Sequence, residues 1–352
     1  MTTDERKISV GELAAAIGVS ISTVGRALAD DPRISAETKA KVRRAAERAG
    51  YVGSMAARVM RGGKSNLMGL LIPDVRNDFY AEIAQALSET CDREGHRLVL
   101  SITGDDREVE ARHIRELVGA RASGIIIVPT ANPRRESTSM LRGIAHVQLL
   151  RRLDSLGDAW FGINDEPALF EATTHLLERG HRRIAYIGGS ESLSTGSARA
   201  RGFQRAYEQA RISLDQATIL IGPTTAEYGA AATKQLLART RAPTAIATGS
   251  VHITLGVIEQ IEKLHIPVPQ DLSVIGFGDP TWFEWWQGGL TTIRPPVQEL
   301  ATTCGLWFLN RIKAGGRNSV VRHSSVANSI LIQRATVRRL QNSPGPRGDN
   351  RR

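Results

Sequence analysis

Cysteine is nearly absent from these 352 residues, with Cys91 and Cys304 the only two. Two widely separated thiols cannot build a disulfide framework or a zinc site. No apolar run approaches the length of a membrane-spanning helix, so the expectation is no membrane partner. The opening "MTTDERKISV" carries charges and no apolar core, so no secretory signal is expected and a cytoplasmic location follows. The signatures of catalysis are missing too. No G-x-S-x-G, Walker A or G-x-G-x-x-G falls at a strand-to-helix turn, and "IGGSES" has the wrong glycine spacing. The eight histidines show no ligand spacing, and His175 and His181 look like helix-end residues. The expectation is therefore no catalytic residue, no metal and no cofactor. Aromatic residues make up only 5% of the chain, which makes "DPTWFEWW" (279–286) stand out.

What is present in excess is positive charge, +10 overall. Residues 1–65 hold 12 Lys/Arg against 7 Asp/Glu, and from Arg334 onward 6 Arg stand against Asp349 alone. The middle of the chain is neutral. Charge placed at the tips of a neutral body suits a polyanion-binding head.

The pattern of residues 8 to 50 predicts three short helices. "VGELAAAIG" puts Leu13, Ala14 and Ile17 on one face and stops at Gly18, a favoured C-cap residue. Ser20 stands where an N-cap belongs and opens a second helix through Leu28. A third starts at Ser35 and Glu37 and runs to about Arg48. Helix, tight turn and helix form a helix-turn-helix. From Leu67 the pattern becomes continuous apolar strands alternating with amphipathic helices, as in "NLMGLLIP", "GIIIVP", "RIAYIGG" and "LSVIGF". Such alternation predicts parallel sheets covered on both faces. Some ten strands are too many for one sheet, so two successive α/β lobes are expected.

In this order and spacing, "VGELAAAIGVSISTVGRAL", "AGYVGSMAARVMRGGKS", "GLLIPDVRNDFYAEI", "HLLERGHRRIAYIGG", "SARARGFQRAY" and "VIGFGDP…LTTIRPP" resemble the LacI/GalR family of bacterial transcription regulators over residues 8 to about 335. The resemblance implies an all-α helix-turn-helix head followed by a periplasmic-binding-protein-like effector module of two doubly wound parallel-sheet lobes. It implies that the second helix enters the DNA major groove. Ile21 and Ser22 then match the base-reading pair, and Ser20, Thr23 and Arg26 match phosphate- or base-contacting positions. Ile21 offers apolar contact to a thymine methyl, and Ser22 can donate or accept. Gly25 departs from a usual Ser. Residues 53–63 match a hinge helix that enters the minor groove, with Ser54 and Ala57 among its contacts and Met60 as the wedge.

For the effector, the resemblance implies a cleft between the lobes. Phe79, Tyr80, Thr195 and Arg199 match pocket positions, and Ser250, Asp279 and Trp282 complete the expected set. Arg151 stands where sugar-binding members carry Asp, Ser250 and Val251 replace a usual Asn-Asp pair, and Gly278 replaces an Asp. Arg151 beside Arg199 points to an anionic effector such as a sugar acid or phosphate, because guanidinium matches carboxylate and phosphate bidentately.

The expected organisation is a DNA-binding domain at 1–52, a hinge at 53–64, a two-lobed effector and dimerisation domain at 65–340 and a disordered tail at 341–352. The expected function is a DNA-binding regulator, a repressor, acting as a homodimer on a palindromic operator and controlled by a small metabolite. The alternatives are a soluble sugar-binding protein or a sugar-metabolising enzyme without DNA regulation.

Overall fold

The structure is a computed structural model that describes residues 8–28, 31–49, 65–157, 159–315 and 322–340. The chain forms two compact units, one helical and one α/β.

The helical unit holds α1 (Val10–Ile17), α2 (Ile21–Leu28) and α3 (Ala36–Arg48). Each begins on a serine. Ser9 and Glu12 form a reciprocal capping box on α1, the Ser20 hydroxyl accepts the Thr23 N–H at 3.1 Å, and Ser35 caps α3 through Thr38. Gly18 closes α1 at φ 70°, where a side chain would be strained. Leu13, Ala14, Val24, Ala27, Val42 and Ala46 form a small closed core. The sequence reading placed all three helices but overlooked the capping box that "SVGE" spells out.

The α/β unit begins with β1 (Leu67–Ile72), α4 (Asp78–Arg93), β2 (Arg97–Ile102), α5 (Arg107–Gly119), β3 (Gly124–Ile127), α6 (Arg135–Arg142), β4 (His146–Leu149) and β5 (Ala159–Ile163). A second lobe follows as α7 (Asp165–Glu178), β6 (Ile184–Gly189), α8 (Ser194–Gln209), β7 (Thr218–Gly222), α9 (Ala226–Leu237), β8 (Ala245–Thr248), α10 (Val251–Lys263), β9 (Ser273–Phe277) and β10 (Thr291–Arg294). The chain then returns to the first lobe as α11 (Val297–Lys313) and β11 (His323–Ala327), and ends in the second as β12 (Ile330–Ile332).

Lobe 1 is a parallel sheet in the order β11-β5-β4-β3-β1-β2. Lobe 2 has the order β12-β10-β9-β8-β6-β7 and is parallel except for the antiparallel β12. The inner strands β3, β6, β8 and β9 are buried along their whole length, as helices on both faces require. The chain crosses between lobes three times, after β5, β10 and β11. Parallel strands bring all their carboxyl ends to one edge, and there an open α/β sheet leaves a crevice for a ligand.

His181 ties the C-terminal segment to lobe 2. Its Nε2 lies 3.1 Å from the Arg338 carbonyl and its Nδ1 lies 2.9 Å from the Thr244 hydroxyl. Burial pushes the pKa of this imidazole, and of His175 on α7, down to about 4.

Candidate functional site

At the start of α2 the small polar residues bind one another. Ser20 Oγ lies 2.8 Å from both Ser22 Oγ and Thr23 Oγ1. Val24 and Ala27 turn into the core, while Ile21 is 52% exposed. The helix therefore presents an apolar side chain beside a knot of hydroxyls, with Arg26 in its last turn. The amino end of a helix carries partial positive charge and orphan N–H groups, which suit a phosphate. Ser54, Ala57 and Met60, together with the hinge at 53–64, lie outside the described residues. So does the tail 341–352.

In the α/β unit a cavity of about 790 Å³ opens between the two lobes at the carboxyl ends of their strands. Six of the eight expected effector contacts line it: Phe79, Tyr80, Arg151, Thr195, Arg199 and Ser250. The Ser250 hydroxyl also caps α10 by accepting the Ile253 N–H at 3.2 Å. Asp279 does not line this cavity. Its carboxylate is only 3% exposed and grips Arg334 through two bonds of 2.7 and 2.9 Å, fixing the loop after β9 to the segment after β12. Trp282 borders a separate space of about 310 Å³ at the rim, and its Nε1 donates to Asp78 Oδ2 of lobe 1 at 3.2 Å. The neighbouring tryptophans differ again, for Trp286 donates to Glu262 and Trp285 is 77% exposed.

Three arginines line the cavity; Arg76 is exposed and pairs with Asp74 at 3.0 Å, and the two expected effector contacts are paired with carboxylates as well. In lobe 2 the Arg199 Nε donates to Asp165 Oδ1 at 2.6 Å and its Nη1 to the Gly249 carbonyl at 2.7 Å. The guanidinium also lies over the Phe277 ring, 3.8 Å from its centroid. Burial pushes the Asp165 carboxyl up, and the guanidinium beside it pulls it back toward ionisation. In lobe 1 Arg151 donates through both terminal nitrogens to Asp105, one bond measuring 3.0 Å, and to the Pro129 carbonyl at 3.2 Å. Burial opposes the charge of Arg151, but the Asp105 carboxylate bonded to it favours that charge, and the pKa lies above its ordinary value. Two arginines so paired do not form a bare anion clamp.

The backbone is bent to make the lobe 1 pair. Leu150, just before Arg151, holds φ 64°, and Asp105 holds φ 59° directly after Gly104 at 61°. For a leucine this left-handed geometry costs on the order of 1–3 kcal/mol. An aspartate tolerates it more readily. Behind the pair, Glu110 is fully buried, with one oxygen accepting the Thr130 N–H at 2.8 Å and burial raising its pKa. Its other oxygen has no hydrogen-bond partner among the described residues. In lobe 2 the buried Tyr186 hydroxyl likewise has none, and it lies where a Cβ on Gly249 would stand at 2.5 Å.

Sequence reasoning did not single out Asp105 or Phe277 for the cleft. Both stand at the carboxyl end of a strand, β2 and β9, which is where an α/β sheet binds ligands, so position alone carried the signal.

Among the described residues no group of three or more His, Cys, Asp or Glu could hold a metal ion, and no helix is long and apolar enough to cross a membrane. Both cysteines are buried, and burial lifts the Cys91 thiol to about 11.

Comparison with known proteins agrees with this geometry. Residues 9–54 match the model for bacterial regulatory proteins of the lacI family, and residues 173–337 match the periplasmic binding protein-like domain. The chain is 30% identical over 337 residues to the HTH-type transcriptional regulator DegA of Bacillus subtilis, covering 94% of this chain and 97% of that protein. It is 29% identical over 350 residues to the HTH-type transcriptional repressor PurR of Pectobacterium carotovorum, covering 98% and 99% of the two chains. In fold it is similar to the Lac repressor dimer bound to operator and the anti-inducer ONPF, with a TM-score of 0.79 at 22% identity, covering 95% of this chain and 100% of that one.

Proposed function

The chain belongs to the lacI family of bacterial regulatory proteins, a DNA-binding transcriptional regulator and not an enzyme, and on that premise we propose how its parts divide the work. Residues 1–52 bind DNA, 53–64 form the hinge, and 65–340 bind an effector and dimerise. On DNA, Ile21 and Ser22 read bases in the major groove, Ser20, Thr23 and Arg26 anchor the backbone, and Ser54, Ala57 and Met60 act in the minor groove. The chain acts as a repressor and as a homodimer, because a two-fold pair of heads matches two inverted half-sites.

The effector is a small polar metabolite of sugar type, held between the lobes by Phe79, Tyr80, Arg151, Thr195, Arg199 and Ser250. A single observation carries this reading. A cavity of about 790 Å³ lies at the strand ends, with Arg151, Asp105, Phe79 and Tyr80 on its lobe 1 wall and Arg199 and Phe277 on its lobe 2 wall, each guanidinium held by a carboxylate. Spaces of this size take whole small molecules, and closure of the lobes on one would move everything attached to them.

Selection of bound duplexes from a random pool by the full-length chain tests the DNA half. The expected product is a pseudo-palindrome whose half-site preference changes at one base pair in Ile21→Ala. Enrichment of single half-sites would contradict the dimer. An unchanged preference in Ile21→Ala would contradict the role of α2.

A further inference from the structure

We propose that Asp105 is a specificity-determining residue of the cleft, turning the lobe 1 wall from an anion trap into a surface for an uncharged, hydroxyl-bearing group. The inference deepens the reading of the cleft as the effector site and rests on it.

The two walls expose opposite members of their ion pairs. In lobe 2 the carboxylate is the hidden partner, with Asp165 5% and Arg199 12% exposed. In lobe 1 the order reverses, with Arg151 7% and Asp105 39% exposed. Both members of the lobe 1 pair line the cleft, and the carboxylate is the more exposed of the two, so an entering ligand meets it first. Backbone geometry at three positions builds this arrangement, since Gly104, Asp105 and Leu150 are all left-handed and Leu150 directly precedes Arg151. The Pro129 carbonyl takes a further Arg151 donor from behind.

The chemistry of such a wall is selective. A phosphate or carboxylate aimed at Arg151 has to approach past a like charge, and repulsion between close charges weakens binding. A hydroxyl can donate to Asp105 and use its oxygen lone pairs toward an arginine at the same time. The ligand class is therefore a neutral compound with hydroxyl groups at its lobe 1 end.

Inorganic phosphate is the probe that tests this without knowing the effector. Thermal shift of the full-length chain is read against phosphate concentration, with chloride at matched ionic strength as the control. Wild type should show no saturable shift beyond the control. Asp105→Gly, which suits the left-handed backbone and removes the carboxylate, should gain saturable phosphate binding. The dissociation constant should tighten roughly tenfold or more, as for a newly available charge-assisted contact. The gain should vanish in Asp105→Gly/Arg151→Met. Asp105→Asn, which keeps the side-chain volume, should behave like Asp105→Gly.

Three results would overturn the proposal. One is saturable phosphate binding by wild type that Arg151→Met abolishes. Another is a folded Asp105→Gly, by circular dichroism, that gains nothing or keeps its gain without Arg151. The third is failure of both Asp105 variants to fold, which would make the carboxylate purely structural. The readout is charge at Arg151, so it can fail while operator selection succeeds, and the reverse.

Discussion

The two walls of the cleft solve the same problem in different ways. Each must hold an arginine at the carboxyl edge of a parallel sheet without leaving a buried charge alone. Lobe 2 does so by burial, with Asp165 on α7, the Gly249 carbonyl and the face of Phe277 enclosing Arg199. Lobe 1 does so with a loop, bringing Asp105 from the turn after β2 onto Arg151 and leaving that carboxylate partly in solvent. An enclosed pair fixes the architecture of a wall. A pair with one member exposed sets what the wall will accept.

The largest expected effect is an opposite response of the two lobes to pH. In lobe 2, His175 and His181 titrate near 4 in the folded chain, against about 6.5 in an unfolded one. The unfolded chain then binds more protons across that window, so this stability is full above about 6.5 and is lost as pH falls toward 4. The loss should reach a few kcal/mol in urea titrations, and His181→Gln should flatten the acid limb. In lobe 1, Glu110 has a raised value in the folded state, so its contribution is full below the ordinary glutamate range and is lost as pH rises through the raised value. Glu110→Gln should be at least as stable as wild type at pH 8 and lose that decline. If Glu110→Gln were destabilised more at pH 8 than at pH 5, the lobe 1 interior would be charged instead.

A methyl group on each wall gives a smaller contrast. A Cβ on Gly249 would meet the Tyr186 hydroxyl at 2.5 Å and the Gly188 backbone at 3.1 Å, whereas one on Gly104 meets nothing within 4 Å. Gly249→Ala should cost about 1–3 kcal/mol through forced repacking. Gly104→Ala should cost about 1 kcal/mol, through its positive φ alone. Tyr186→Phe should recover part of the Gly249→Ala loss and none of the Gly104→Ala loss. Equal costs at the two glycines would erase the distinction between a packed wall and an open loop.

The smallest effect is at the rim, where Trp282 of lobe 2 meets Asp78 of lobe 1. Trp282→Phe removes one hydrogen bond of 3.2 Å and should cost less than about 1 kcal/mol. Amide exchange at the start of α4 should nevertheless quicken. Unchanged exchange there would mean that the rim does not join the walls.

Much of this architecture was legible in the sequence. Ser20 and Ser35 announced helix starts because a short hydroxyl satisfies an orphan N–H locally. The apolar runs of β1, β3, β6 and β9 announced buried strands because parallel sheets are covered on both faces. The last third was harder. The stretch "HSSVA" of β11 is a polar, half-exposed edge strand, β10 is four residues long, and α11 was not anticipated between them. The helix α8 begins at Ser194, on a stretch "STGS" that has the composition of a loop. In the cleft, the family resemblance found six lining residues but not their partners. Asp165 lies nearer Arg151 in sequence than Asp105 does, yet the fold gives Asp165 to Arg199 and Asp105 to Arg151. Which carboxylate meets which guanidinium is settled by the crossings between strands, and no local pattern records it. The aromatic stretch 279–286 shows the same limit, because three tryptophans of one loop end at the rim, on Glu262 and in solvent.

Paired double-mutant cycles test the contrast between the walls most directly. One cycle uses Arg199→Met with Asp165→Asn, the other Arg151→Met with Asp105→Asn, each measured by urea denaturation at low and at high salt. The enclosed lobe 2 pair should show a coupling of roughly 2 kcal/mol or more that salt leaves unchanged. The half-exposed lobe 1 pair should show roughly 1 kcal/mol or less, falling as salt screens it. Equal couplings, or a larger and salt-insensitive one in lobe 1, would contradict the division into an architectural wall and a selecting wall.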